Sequence, residues 1–155
     1  MHSTFTANDL WNLLCEQADL LDQLLIFGGH QQQAIAANRM TELIAILGNK
    51  QPYLERLEQV RKQLHAWQPE SEHGFVWPDL AQRQQCQRKR DRSAQSFAAL
   101  IDLEHACELA LAQSRDQIQQ RLKTFDSSRT AAAAYQSQEQ EPAATASRVD
   151  FSSIG

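Results

Sequence analysis

The sequence predicts an all-α protein: an antiparallel helical hairpin plus a long third helix, forming a three-helix, coiled-coil-like bundle followed by a flexible C-terminal tail. Three observations lead there. Leu, Ala, Gln, Glu and Arg dominate the 155 residues, while Gly and Pro number only 5 and 4. Straight side chains lose little rotamer freedom in a helix, and the β-branched and aromatic residues that favour strands are few. Apolar residues recur in steps of three and four over long stretches, and the main breaks fall around Asn38 and between Pro69 and Pro78. The expected helices are 7–37, 39–67 and 78–126, with residues 1–126 forming the bundle domain and 127–155 a polar tail.

The first helix has a cap at Thr6 or Asn8, whose side chains can accept a bond from an orphan backbone N–H. Its stripe runs through Leu10, Leu13, Leu14, Leu20, Leu21 and Leu24. Gly28 and Gly29 interrupt the stripe, and each costs about 1 kcal/mol against Ala in a helix interior. Because the pattern resumes at Ala34 and Ile35, the pair reads as a weak spot or kink inside one helix. Asn38 is the next cap candidate. The second helix then carries Met40, Leu43, Leu47, Lys50, Leu54, Leu57, Arg61 and Leu64, the alternating spacing of a coiled-coil seam. Lys50 and Arg61 on that seam are expected to pack their stems and carry their charges out to water. Pro52 lies inside the run and is expected to bend the helix without ending it. The hairpin core is expected to include Leu13, Leu14, Leu21, Leu24, Leu43, Leu47, Leu54, Leu57 and Leu64.

Residues 69–74 are turn chemistry, and Phe75-Val76-Trp77 is a short apolar patch expected to fold back on the helix ends. Pro78 suits the first turn of the third helix, where no backbone N–H is needed. That helix opens polar and basic, with Arg83, Arg88, Lys89, Arg90 and Arg92. An apolar stripe returns with Phe97, Leu100, Ile101, Cys107, Leu111, Ile118, Leu122 and Phe125. After Asp126 no core-forming pattern is left, so the tail is expected to be mobile or marginally helical. Two apolar residues near its end, Phe151 and Ile154, have the look of a short docking element.

Composition limits function as well as fold. The net charge is −4, so the chain has no long-range attraction to nucleic acid or anionic lipid. The basic cluster from Arg83 to Arg92 has no interleaved aromatic to stack on bases and reads as a solvated face, with an acidic partner or a phosphate backbone as the alternatives. No apolar run is long enough to span a bilayer. The N-terminus has neither the basic nor the apolar region of a secretory signal, so a cytoplasmic location is expected. Cys15, Cys86 and Cys107 are odd in number and form no CxxC pair, which reads as reduced, buried thiols.

No catalytic residues, cofactor or metal site are expected. Glu70-x-x-His73 falls in a loop. Asp102-x-x-His105 is a single helical pair, where a di-iron bundle needs two Glu-x-x-His pairs and further inward carboxylates. No nucleophile elbow or phosphate loop accompanies the cysteines. The feature with functional promise is the late stripe on the third helix. It can be core against the first two helices, or a free helix face that docks a partner or a second helix of its own kind. On the second reading Leu111, Ile118, Leu122, Phe125 and Tyr135 are the candidate partner-binding residues.

The stretch from Leu20 to Leu64 resembles the FlgN family of flagellar export chaperones. The resemblance rests on Leu20-Leu21-Asp22-Gln23-Leu24-Leu25, on Gln31 through Met40 with its small–small–Asn turn, and on Leu43 through Gln51 followed by Leu54-Glu55-Arg56-Leu57. In the third helix Leu103-Glu104, Arg115-Asp116 and Arg121-Leu122 extend it, so that it covers the chain to about Tyr135. The resemblance implies a non-enzymatic, ATP-independent cytoplasmic chaperone that holds secreted subunits of the hook–filament junction before type III export, with the export gate as a further partner. It also implies substrate capture by the C-terminal part of the chain. Many members carry a Tyr-Gly-like motif linked to gate docking; here Tyr135 is followed by Gln136-Ser137. The alternatives are a structural or adaptor coiled coil that self-associates through the same helix, and a metal-binding or enzymatic helical bundle.

Overall fold

The computed structural model describes residues 5–67 and 77–151, with side chains described for 5–66 and 77–138. Three helices account for nearly all of it: α1 (Ala7–Ala36), α2 (Met40–Trp67) and α3 (Leu80–Phe151). Among the described residues there is no strand. The chain divides into two units, Met1–Ala112 and Gln113–Gly155.

Local chemistry sets the helix ends in the first unit. Thr6 caps α1 in a full capping box: its hydroxyl accepts from Asp9 N–H at 3.3 Å, and Asp9 Oδ2 accepts from Thr6 N–H at 2.8 Å. Two orphan donors are thereby satisfied reciprocally. These bonds to the charged form hold the exposed Asp9 carboxyl below its ordinary range. At the other end Asn38 adopts a left-handed backbone, φ 57°. Asn38 N–H bonds Ile35 O at 3.1 Å and Arg39 N–H bonds Ala34 O at 2.8 Å, the paired bonds of a Schellman motif. Asn38 therefore closes α1 rather than opening α2. Asp79 caps α3 by accepting from Gln82 N–H at 2.6 Å, so Pro78 stands just outside the helix. Pro52 sits within an uninterrupted α2. The expected turn at 69–76 lies outside the described residues; Trp77, at its edge, packs on the core.

The core is three layers strung along the helices. Leu10 and Leu14 meet Val60, Leu64 and Cys86; Leu21 and Leu24 meet Leu57 and Leu100; Ala34 and Ile35 meet Leu43 and Cys107. The pairing order makes α2 antiparallel to α1, and the first part of α3 parallel to α1. On α1 the buried row is Ala7, Leu10, Leu14, Gln17, Leu21, Leu24, Gly28, Gln31 and Ile35, with Ala34 beside it. Those steps of three and four form an unbroken coiled-coil seam. On α3 the buried row is Cys86, Ser93, Leu100 and Cys107, each seven residues from the last.

Three expectations are corrected here. Gly28 marks no weak spot, because α1 runs straight through it and a Cβ there would lie 2.9 Å from Leu103 Cγ. The missing side chain makes room for a leucine of α3. Lys50 does not carry its charge to water. Its side chain is 5% exposed, and its ammonium donates to Gln31 Oε1 at 3.0 Å and pairs with Glu104. One polar contact thus links all three helices. Leu47 and Leu54 leave the core at 44% and 36% exposure, while the unanticipated Val60 is completely buried. The α2 seam keeps Leu43, Lys50, Leu57 and Leu64 but alternates them with Ile46, Tyr53 and Val60. Leu13 is half-buried at its margin.

In the second unit α3 continues past residue 126, where the sequence reading ends it, to Phe151. The stretch includes four successive alanines, the strongest helix formers. Thr124 and Thr130 hydroxyls donate back to the carbonyls of Gln120 and Asp126, both at 2.9 Å.

Candidate partner-binding surfaces

The stripe candidates all sit on α3 and all are exposed. Leu111 closes the first unit at 41% exposure. In the second unit Ile118, Leu122 and Phe125 stand at 43%, 58% and 64%. Steps of four and three place these three on one helix face. Tyr135, also exposed, is ten residues beyond Phe125, which puts it ~80° around an ideal helix from that ring. The stripe therefore gathers Ile118, Leu122 and Phe125 and leaves Tyr135 to one side. Within residues 113–138 no side chain is buried. Phe151 has only its backbone described and Ile154 lies outside the described residues, as does the Glu70-x-x-His73 pair. Asp102 and His105 are exposed.

The basic cluster is partly absorbed into the bundle. Lys89 Nζ lies 5.6 Å from the ring centroid of Trp11, a cation–π contact the sequence hides because the aromatic comes from another helix. Arg90 is half-buried, while Arg83, Arg88 and Arg92 are exposed. Across α1 and α2, Arg56 grips Glu16 with two nitrogens, Nη2 to Oε2 at 2.9 Å. That hydrogen-bonded carboxylate raises the pKa of the guanidinium. As an exposed pair it adds orientation more than stability.

Sequence reasoning missed a second surface. In the first unit α2 and α3 are separated by a groove with two adjoining stretches of about 570 and 560 Å³, which share Glu58, Arg61 and Phe97. Leu54 and Ile101 stand on its walls and Leu14 and Gln17 on its floor. The signal lies in the heptad pattern: Leu54, expected in the core, and Arg61, expected to carry its charge from the seam to water, belong to a second row on α2 that lines this groove.

Helical geometry alone does not name a function. The family model described as FlgN protein matches residues 1–143. The chain belongs to the FlgN family. No curated protein and no solved structure matches it. FlgN is a family of flagellar export chaperones that bind flagellar subunits. Among the described residues, no helix of this FlgN-family chain is long and apolar enough to cross a membrane.

Proposed function

We propose that this FlgN-family protein is a cytoplasmic chaperone that binds subunits of the hook–filament junction before type III export, through the C-terminal stripe of α3. Ile118, Leu122 and Phe125 make the central contact and Tyr135 is a flanking contact; Leu111, in the first unit, is a separate further contact. The observation that carries this reading is that three large apolar side chains share one face of a helix segment whose side chains have no core of their own. Such a face is a liability unless something covers it. A secreted subunit whose apolar helices would otherwise self-associate can cover it by lying alongside, with burial of about 25 cal/mol per Å² offsetting the cost of ordering both partners. The segment beyond Tyr135 is then available to the export gate.

The test is the double variant Leu122→Asp with Phe125→Asp, co-expressed with a full-length hook–filament junction subunit. Both side chains are exposed, so circular dichroism and melting should match wild type while the subunit no longer co-purifies. Undiminished co-purification refutes the assignment. The same stripe can also support self-association, and the two are separable. Loss of a dimer in sedimentation, with subunit capture intact, points to the coiled-coil adaptor instead.

A further inference from the structure

We infer that the α2–α3 groove of the first unit is a second docking site, shaped for a single amphipathic helix of a partner protein that carries carboxylates at one end. The groove follows α3 over residues 90–108, about 27 Å at 1.5 Å per residue, the length of a five-turn helix. Its middle carries Phe97 between Glu58 and Arg61, with Leu54 and Ile101 beside them, the last 66% exposed. Its ends differ in charge. Lys62, His65 and Arg90 line one end; Glu108 and His105 line the other together with Glu104, whose carboxylate is already paired with Lys50.

An independent observation marks the basic end. Ser93 lines the groove there, is 4% exposed, and its Oγ has no hydrogen-bond partner. An unmatched buried hydroxyl is costly. A partner carboxylate entering beside Arg90 and Arg61 would accept from it. Arg61 is already held in place, its guanidinium 4.9 Å from the Phe97 ring centroid, so little ordering is needed when the carboxylate arrives.

Shape favours one occupant. A second copy of the groove is equally concave and leaves the space unfilled, whereas a lone helix is convex and presents the i, i+3, i+4, i+7 ridge that a groove between two helices receives. The polarity of the groove orients that helix: its acidic end lies at Ser93 and Arg90, its basic end at Glu108. This site is separate from the stripe around Leu122 and does not depend on which subunit the stripe carries.

The experiment uses the full chain and a labelled 18-residue helical peptide with an apolar stripe, two Glu at one end and two Lys at the other. A control peptide has Lys at both ends, since merely exchanging the ends would let the helix bind reversed. Fluorescence anisotropy should show the Glu/Lys peptide binding at least about tenfold more tightly than the control, with the preference shrinking as salt rises. Ile101→Asp should weaken it by about tenfold or more. Ser93→Ala should weaken it about three- to tenfold while leaving the melting temperature equal or higher, because the unpaired hydroxyl is gone. Equal affinity for the two peptides, no binding, or wild-type affinity in Ile101→Asp overturns the inference. So does loss of binding in the Leu122→Asp, Phe125→Asp variant with Ile101→Asp unaffected, which places the peptide on the other stripe. A wild-type dimer that Ile101→Asp dissociates also overturns it, since a second copy then covers the groove.

Discussion

Gly28 and Gly29 are adjacent on the same helix and should respond oppositely to alanine. Each substitution gains helix propensity, about 1 kcal/mol in a helix interior. At Gly29 a Cβ meets nothing within 4 Å, so Gly29→Ala should keep that gain. At Gly28 the new methyl would fall inside the van der Waals envelope of Leu103, too close to Cδ2 and only 2.9 Å from Cγ. Rotating the terminal methyls cannot clear both atoms, so the whole side chain must swing out or α3 must move. The carbonyl of Gly28 is also within 3.8 Å of Cys107 Sγ, which shows how closely the two backbones run here. Overpacking costs typically 1–3 kcal/mol, and Leu103 is only half-buried, so the lower part of that range applies. Subtracting propensity gives a net loss of about 0–1 kcal/mol for Gly28→Ala and a gap of about 1–2 kcal/mol between the two variants. At ~2–4 °C per kcal/mol for a chain of this size, thermal melts should separate by roughly 2–8 °C. Adding Leu103→Ala should close most of the gap, since the methyl then has room. Coincident melting of the two single variants would refute the close-packing argument, and so would a gap that Leu103→Ala leaves intact.

Three further outcomes follow from the bundle. Glu104→Ala should lower stability by about 1–3 kcal/mol in denaturant melts, because it leaves the Lys50 ammonium buried with only Gln31; Lys50→Met should cost less, since Glu104 is 36% exposed and can rehydrate. Leu57→Ala, at 5% exposure, should cost about 2–5 kcal/mol, whereas Leu47→Ala and Leu54→Ala, at 44% and 36%, should each cost under about 1.5. Burial pushes the Cys86 and Cys107 thiols up and keeps them from solvent, so at pH 8 the half-buried Cys15 should react with a thiol reagent first, the other two only on unfolding.

Helix number, helix type and the two main breaks were legible because they depend on local chemistry: Thr6 before an apolar run, Asn38 between two runs, and Pro69 and Pro78 bracketing the second break, although the cap of α3 is Asp79 and not Pro78 in its first turn. The core was legible where one register dominated. On α1 one face won clearly, with Leu14, Leu21 and Leu24 buried and their neighbours Leu13, Leu20 and Leu25 half-buried at its margin, but α2 offers Leu43, Ile44, Ile46 and Leu47 within one turn and a half, and periodicity alone admits two faces. Packing decided for Ile46, Tyr53 and Val60; of the outer row, Leu54 and Arg61 line the groove while Leu47 is simply exposed. The α3 seam was hard to read for a different reason. Its buried heptad is Cys86, Ser93, Leu100 and Cys107, and apolar counting passes over small polar residues. Lys50 was read by the usual habit of its residue type, and only the placement of Glu104, 54 residues away, shows otherwise.

The two units of α3 divide the work according to what each side chain can bury. Three heptad seams with the same three-and-four spacing could slide by one heptad at small cost in apolar area. The Lys50–Gln31–Glu104 contact makes such a slip strand an ammonium in the core, and the Gly28–Leu103 fit makes it a steric clash. Register in the first unit is thus set by specific contacts, which lets the seam of α3 use small residues and lets its outer face remain available as a groove wall. Residues 113–138 have no such contacts. A single helix stabilised only by propensity is marginal in water, and its apolar residues gain nothing until something covers Ile118, Leu122 and Phe125. Partner binding should therefore protect backbone amides in this stretch from hydrogen exchange far more than those in the layer around Leu21 and Leu24. Equal added protection in both places would mean that the partner stabilises the whole chain and does not grip the stripe.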